Sequence, residues 1–268
     1  MIKLIQTGRG VHNVIDVMDK FILKFYTSAE LARREELGIN TFYFNSPGSA
    51  PKIVFRLGRL TIFDKLKSND QINKPLICDQ LSDIITKLNK TQLSGNTEWI
   101  NYLQANKSQF QSNIRVLRQK LGSDRTGKIT QIVDYINRVD WDNFPSQPLH
   151  RDLHIGNLII TDSGVKIIDF EHFQFGPLEY EFCNSLLFAD GFSLDFDLIV
   201  QKLTQNGVFI NSNLTKLLTI VYFVEQFILS CKSHNEAKQN LLMAKLDHFL
   251  ISNNIFSQID SAGKCLAN

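Results

Sequence analysis

His150-Arg151-Asp152-Leu153-His154-Ile155-Gly156-Asn157, running on through Leu158-Ile159-Ile160-Thr161, Asp162-Ser163-Gly164, Val165-Lys166-Ile167-Ile168 and Asp169-Phe170-Glu171, is the stretch that decides the fold of this chain. Three groups in it can act together. The Asp152 carboxylate can orient a hydroxyl and accept its proton. The Asn157 amide oxygen and the Asp169 carboxylate are hard oxygen ligands of the kind Mg²⁺ takes. The spacing explains how they meet. A short apolar run, an Asp-Ser-Gly turn signal and a second apolar run read as a β-hairpin. Its first strand leaves Asn157 and its second delivers Asp169, so the antiparallel return sets both at the same open end.

Working outward, composition sets bounds. A length of 268 residues suits one large domain or two lobes. With 43% hydrophobic and 21% charged residues, the chain can bury a sizeable core and is not of disordered type. A net charge of +2 is too small to argue for nucleic acid or a membrane surface as partner. Cys78, Cys183, Cys231 and Cys265 are far apart and form no CxxC, which argues against disulfides and zinc and fits a reducing compartment. The N-terminus lacks the long apolar region of a signal peptide. The strongest apolar run, 217–229, is interrupted by Glu225 and Gln226 and reads as a buried helix. A cytoplasmic protein is expected.

The first residues read as strands at 2–7, 14–17 and 21–26, with Gly8-Arg9-Gly10-Val11-His12-Asn13 between the first two. Glycines Gly8 and Gly10 allow a tight loop whose backbone N–H groups can approach a phosphate. The loop joins two strands and precedes no helix, so it is neither a Walker loop nor a Rossmann turn. It suits a strand–loop–strand lid over a nucleotide. Lys24 lies inside an apolar strand, where it is costly to bury unless paired. Thr27-Ser28-Ala29-Glu30 is a capping box opening a helix that Gly38 is expected to end. Of the acids on that helix, Glu35 is preferred over Glu36 as the partner of Lys24, leaving the ammonium facing the α- and β-phosphates. Strands are expected at 41–44 and 53–57, giving five strands and one helix. Arg56-Leu57-Gly58 is then the connection between lobes, with the backbone at Leu57 available to an adenine. This makes 1–57 a nucleotide-binding lobe and 58–268 a catalytic and acceptor-binding helical lobe.

From 61 onward the pattern is helical, beginning with a capping box at 61–64. Pro75 starts a helix with Leu76, Leu81, Ile84, Ile85 and Leu88 on one face. Further helices follow around Trp99 to Leu117, Ile129 to Ile136, Gly176-Pro177 to Leu187, 196–205, 214–230 and 235–251. No internal repeat or long linker is evident.

The residues at 149–157, 167–171 and 176–182 resemble the aminoglycoside phosphotransferase and choline kinase-like family of small-molecule kinases. The likeness extends more loosely to the Gly loop, Lys24 and the acidic helix. It implies an α+β, protein kinase-like fold of two lobes: a small antiparallel sheet with one helix, then a larger helical lobe carrying the catalytic hairpin. Asp152 is implied as catalytic base and His150 as the brace of its loop. Asn157 and Asp169 would hold Mg²⁺, Lys24 would contact phosphate, and Glu35 would position Lys24. ATP is the implied co-substrate. Two positions depart from the family pattern: Arg151 stands where Gly is frequent, and Glu181 where Asp is usual.

The implied reaction is transfer of the ATP γ-phosphoryl group to a small-molecule hydroxyl. A protein acceptor is disfavoured, because Gly176-Pro177 follows Glu171 within five residues and no Ala-Pro-Glu motif appears. Glu179, Asp190, Asp195, Asp197 and Glu225, with Phe173, Phe175, Tyr180, Phe188, Phe192 and Tyr222, could line an acceptor pocket, although amphipathic helices ordinarily carry both residue types. An amino alcohol such as choline, an aminoglycoside, a sugar or a related metabolite all fit. The competing readings are a kinase-like nucleotide-binding protein without catalysis and, less well supported, a protein kinase.

Overall fold

The structure is a computed structural model that describes residues 2–5, 13–17, 19–69, 73–91, 95–188 and 194–253. In chain order its elements are β1 (Ile2–Ile5), β2 (Asn13–Val17), β3 (Phe21–Phe25), α1 (Ala29–Asn45), β4 (Ile53–Leu57), β5 (Leu60–Asp64), α2 (Lys74–Asn89), α3 (Thr97–Leu121), α4 (Ser123–Ile136), β6 (Gln147–Leu149), β7 (Leu158–Thr161) and β8 (Gly164–Ile167). They continue as β9 (Gln174–Gly176), α5 (Cys183–Leu187), α6 (Phe196–Gln205), α7 (Ser212–Lys232) and α8 (Glu236–Asn253). Two compact units form: one from 1–93, 147–175 and 194–209, the other from 94–146, 176–193 and 210–268.

The first unit holds an antiparallel sheet in the order β1-β2-β3-β5-β4. Val14 and Thr61 flank Lys24 in register on the neighbouring strands. Helix α1 presents one buried stripe, Ala32, Glu35, Gly38, Ile39 and Phe42, at the spacing of a helical face. Its N-cap is Ser28, whose hydroxyl accepts the Leu31 N–H, one residue beyond the expected Thr27. The hairpin β7–β8 forms as expected, with Gly164 already paired to Thr161 and Leu158 opposite Ile167. The short pair β6–β9 brackets the hairpin in sequence and was not legible in the pattern.

Four expectations are corrected. Gly38 does not end α1, because its missing side chain serves packing: a Cβ there would lie 2.8 Å from the Phe173 Cβ and 2.9 Å from the Phe170 Cβ. The strand expected at 41–44 is the last turn of α1; Thr-Phe-Tyr-Phe favours strands locally, but burial of Phe42 on the helical stripe overrides that preference. The helix start expected at 61–64 is strand β5, in which Thr61 and Phe63 alternate into the interior. Arg56-Leu57-Gly58 is therefore the β4–β5 hairpin, with Gly58 at φ +59° and Leu57 69% exposed. The boundary expected between 57 and 58 falls inside that hairpin, and the chain leaves the sheet only after Asp64.

In the second unit α7 packs against α3, α4, α5 and α8. This helix is long and apolar enough to cross a membrane on length and composition alone, but 72% of its apolar window is buried within the protein, as in a core helix. The segment after Gly176-Pro177 begins as a 3₁₀ turn, 178–182, before becoming α5.

Candidate active site

Lys24 is the first anchor. Strand alternation turns it inward from β3, where it is only 8% exposed. Its Nζ lies 2.8 Å from Glu35 Oε2 and 2.6 Å from Asp169 Oδ1. Glu36 turns to the other side of α1 and pairs with Arg56 at 2.6 Å, so Glu35 is the partner, as expected. Burial works to lower the Lys24 pKa, but the two carboxylates outweigh it and hold the ammonium above its ordinary range. Burial pushes the Glu35 carboxyl up, with Lys24 pulling against it. Tyr26 lies just past the end of β3, and its ring centroid is 5.2 Å from the Lys24 Nζ.

Asp169 is delivered by the hairpin and held by the residue after it. Its backbone adopts φ +67°, ψ +61°, a left-handed conformation that, after glycine, asparagine and aspartate adopt most readily. Phe170 is fully buried, edge-on to Phe42 of α1 at 4.8 Å and to His150 at 4.7 Å between ring centroids. The helix that supplies Glu35 thus clamps the residue next to Asp169.

The loop between β6 and β7 supplies the rest. His150 is buried; Asp152 N–H donates to its Nδ1 at 3.3 Å, which leaves Nε2–H to donate to the Ile168 carbonyl at 2.8 Å. Burial lowers its pKa, consistent with a neutral ring. Arg151 follows at φ +70°, the region glycine favours, and its guanidinium donates to Gln174 Oε1 at 2.9 Å. An arginine in that conformation carries a strain of about 1–2 kcal/mol. Asn157 Nδ2 donates to the Asp152 carbonyl at 2.8 Å and to its Oδ2 at 3.1 Å. Ile168 N–H donates to the Asn157 carbonyl at 2.9 Å, stitching the loop to the segment between β8 and Asp169. His154 Nε2 lies 3.6 Å from Asp152 Oδ2. Burial raises the Asp152 pKa, but the contact with His154 leads the effects that lower it, and the carboxyl settles at about 2.

These residues fit a hard divalent cation. With Nδ2 committed to Asp152, the Asn157 amide turns its oxygen the other way, and the Asp169 side chain, at the end of the backbone bonded to the Asn157 carbonyl through Ile168, is 39% exposed. Two oxygens suit Mg²⁺ that draws its remaining ligands from phosphate and water. Among the described residues no group of three or more His, Cys, Asp or Glu converges as a self-sufficient metal site.

The sequence model described as "Phosphotransferase enzyme family" matches residues 6–205. The chain belongs to this phosphotransferase family. It is an enzyme of the small-molecule kinase type, with a hydroxyl group as acceptor. No curated protein matches it. Among solved structures, the GDP and kanamycin complex of APH(2")-IIia is 12% identical, covers 94% of both chains and has a TM-score of 0.73. The streptomycin-ATP-APH(2")-IIa ternary complex is 12% identical, with 93% of this chain and 90% of that chain covered and a TM-score of 0.68. Macrolide 2'-phosphotransferase type I is 14% identical, with 91% and 90% covered and a TM-score of 0.63. At such identities the likeness carries the protein kinase-like fold and nothing about the substrate.

In this phosphotransferase Lys24, Glu35, His150, Asp152, Asn157 and Asp169 form one connected set. Leu57 does not join it, lying exposed in the β4–β5 hairpin. Gly8 and Gly10 lie outside the described residues, as do Asp190 and Phe192. Several of the acids considered for an acceptor pocket have structural duties: Glu179 accepts the Asn211 N–H before α7, and Asp195 caps α6. Glu225 accepts hydrogen bonds from the hydroxyls of Tyr102 and Tyr180. Tyr26 and His154 went unassigned in the sequence. The first had a usable signal, its i+2 spacing from Lys24 in the strand expected at 21–26.

Proposed function

We propose that this phosphotransferase moves the γ-phosphoryl group of ATP to a hydroxyl of a small molecule, with Asp152 as base and with Asn157 and Asp169 as the protein ligands of Mg²⁺. The observation that carries this reading is the unbroken chain of contacts Glu35–Lys24–Asp169, joined through the Ile168–Asn157 backbone bond to Asp152.

Each residue then has a task. Lys24, kept cationic by two carboxylates, presents positive charge where phosphate oxygens arrive. Glu35 fixes that ammonium from α1. When bound, Mg²⁺ supplies neutralisation of charge on the β- and γ-phosphates. Asp152, ionised and held by Asn157, aligns the acceptor hydroxyl in line with the γ-phosphorus. As the new P–O bond forms and the bond to the ADP oxygen breaks, the hydroxyl proton passes to Asp152. His150 ties the Asp152 backbone to the segment between β8 and Asp169, so base and metal ligands move as one piece. The acceptor is an amino alcohol such as choline, an aminoglycoside, a sugar or a related metabolite. The scattered cysteines of the sequence favour a reducing, cytoplasmic setting for this activity.

The test is ADP or GDP release with Mg²⁺ across a panel of hydroxylated amines, sugars and macrolides. Both ATP and GTP are supplied, since solved relatives carry ATP, ADP or GDP. Nucleotide release matched by a phosphomonoester on one acceptor class is the expected result. Tight nucleotide binding without turnover on any acceptor points to a binding module, and phosphate transferred to peptides points to a protein kinase.

A further inference from the structure

We propose that His154 is a positioning residue for Asp152, fixing the plane of its carboxylate. The idea rests on the reading of Asp152 as the group that aligns the acceptor hydroxyl. His154 caps the 155–157 turn, and its Nδ1 accepts the Gly156 N–H at 3.0 Å. A nitrogen that accepts carries no proton, so in the neutral ring the proton sits on Nε2. Nε2 faces Asp152 Oδ2 at 3.6 Å. The same Oδ2 takes the Asn157 Nδ2–H at 3.1 Å. One donor from this short turn, Asn157, already holds that oxygen, and the second, His154, faces it within reach of a small closing movement.

Gly156 supplies an independent observation. A Cβ at that position would lie 2.7 Å from the His154 Cε1 and 3.0 Å from its Nδ1, closer than real side chains stand. The loop is bare of side chain at the one place where the imidazole lies on it. A cap alone does not need the second ring nitrogen aimed at a carboxylate. At 3.6 Å the Nε2 contact is longer than a good hydrogen bond. Catalytic hydrogen bonds are often long without substrate and tighten in the complex.

Two substitutions separate the ring's two nitrogens. His154→Asn keeps an acceptor near Nδ1 and removes the donor toward Asp152. His154→Gln places an N–H donor near the Nε2 position and loses the cap. The expected result is a roughly 10- to 100-fold loss of kcat in His154→Asn and His154→Ala, with KM for Mg–ATP unchanged, and His154→Gln within about threefold of the parent. Parental kcat in His154→Asn overturns the proposal and leaves His154 as a cap. Nitrogen NMR of the full chain provides a readout that needs no turnover: an Nε2-protonated His154 whose Nε2 signal shifts in Asp152→Asn supports the contact. A proton on Nδ1, or an unmoved Nε2 signal, overturns it. Absence of turnover in the parent is a failure of the phosphoryl-transfer reading alone, because the NMR result still decides the contact.

Discussion

Replacing Lys24 by methionine tests the charge chain at its centre. The two ion pairs of Nζ are not equal. The Glu35 side is nearly sealed from solvent, whereas the Asp169 side chain is 39% exposed, so water screens much of the second pair. The energetic weight therefore lies on Glu35. Methionine keeps most of the stem and removes the charge, leaving a buried carboxylate that has lost its cation. Breaking a buried pair in this way costs about 3–5 kcal/mol. For a chain of this size that is a fall of roughly 6–20 °C in melting temperature. The pH dependence follows from Glu35. Burial already pushes its carboxyl up against the pull of Lys24, and loss of Lys24 sends it further up. A folded-state pKa above the unfolded one means that the folded chain holds the proton across the window between them, so stability falls as pH rises through that window. The deficit of Lys24→Met relative to the parent should be smaller near pH 5 and larger near pH 8. Thermal melts followed by fluorescence at both pH values measure it. A variant melting within about 2 °C of the parent at pH 8, with no pH trend, would refute the reasoning.

Gly38→Ala should destabilise the protein by about 1–2 kcal/mol, since clash with the Phe170 and Phe173 Cβ atoms outweighs the better helix propensity of alanine; a melt showing a more stable variant contradicts the close-packing account. Glu36→Gln should leave kcat and KM for ATP within about twofold, because Glu36 pairs with Arg56 at a half-exposed site; a tenfold loss would mean that the wrong acid has been assigned to Lys24. Asp152 carries its own pH signature. Its carboxyl is held at about 2, below its ordinary 3.8, so it contributes stability that is present above the ordinary value and lost as pH falls through 2. The size is about 2 kcal/mol. The stability gap between parent and Asp152→Asn in denaturant titrations should therefore be open at neutral pH and close near pH 2, and a gap independent of pH speaks against the depressed carboxyl.

Much of the site was legible because its residues lie close together in sequence. From Asp152 to Asp169 the chain needs only one hairpin to close, and a turn signal between two apolar runs specifies it. Lys24 could be found because a lysine in an apolar strand demands a partner; the stripe that puts Glu35 there, with Ala32, Ile39 and Phe42, runs past the helix end expected at Gly38. What failed was decided by contacts distant in sequence. Gly38 reads as a helix end, yet its lack of a side chain answers to Phe170 and Phe173, more than 130 residues later. The apolar run at 41–44 favours a strand locally, and only the docking of Phe42 on Phe170 makes it helix. The same holds for β5, whose Thr61 reads locally as a helix cap and is the cross-strand neighbour of Lys24. His154 was visible as a letter, but its role depends on which ring nitrogen Gly156 engages, and spacing does not reveal that.

The most direct test of the account is single-turnover phosphoryl transfer by Asp152→Asn, measured with the best acceptor of the panel alongside nucleotide affinity. The account predicts a loss of at least about two decades in the transfer rate, with nucleotide binding retained. Transfer at the parental rate would contradict it, because the carboxylate between Asn157 and His154 would then have no part in the chemistry.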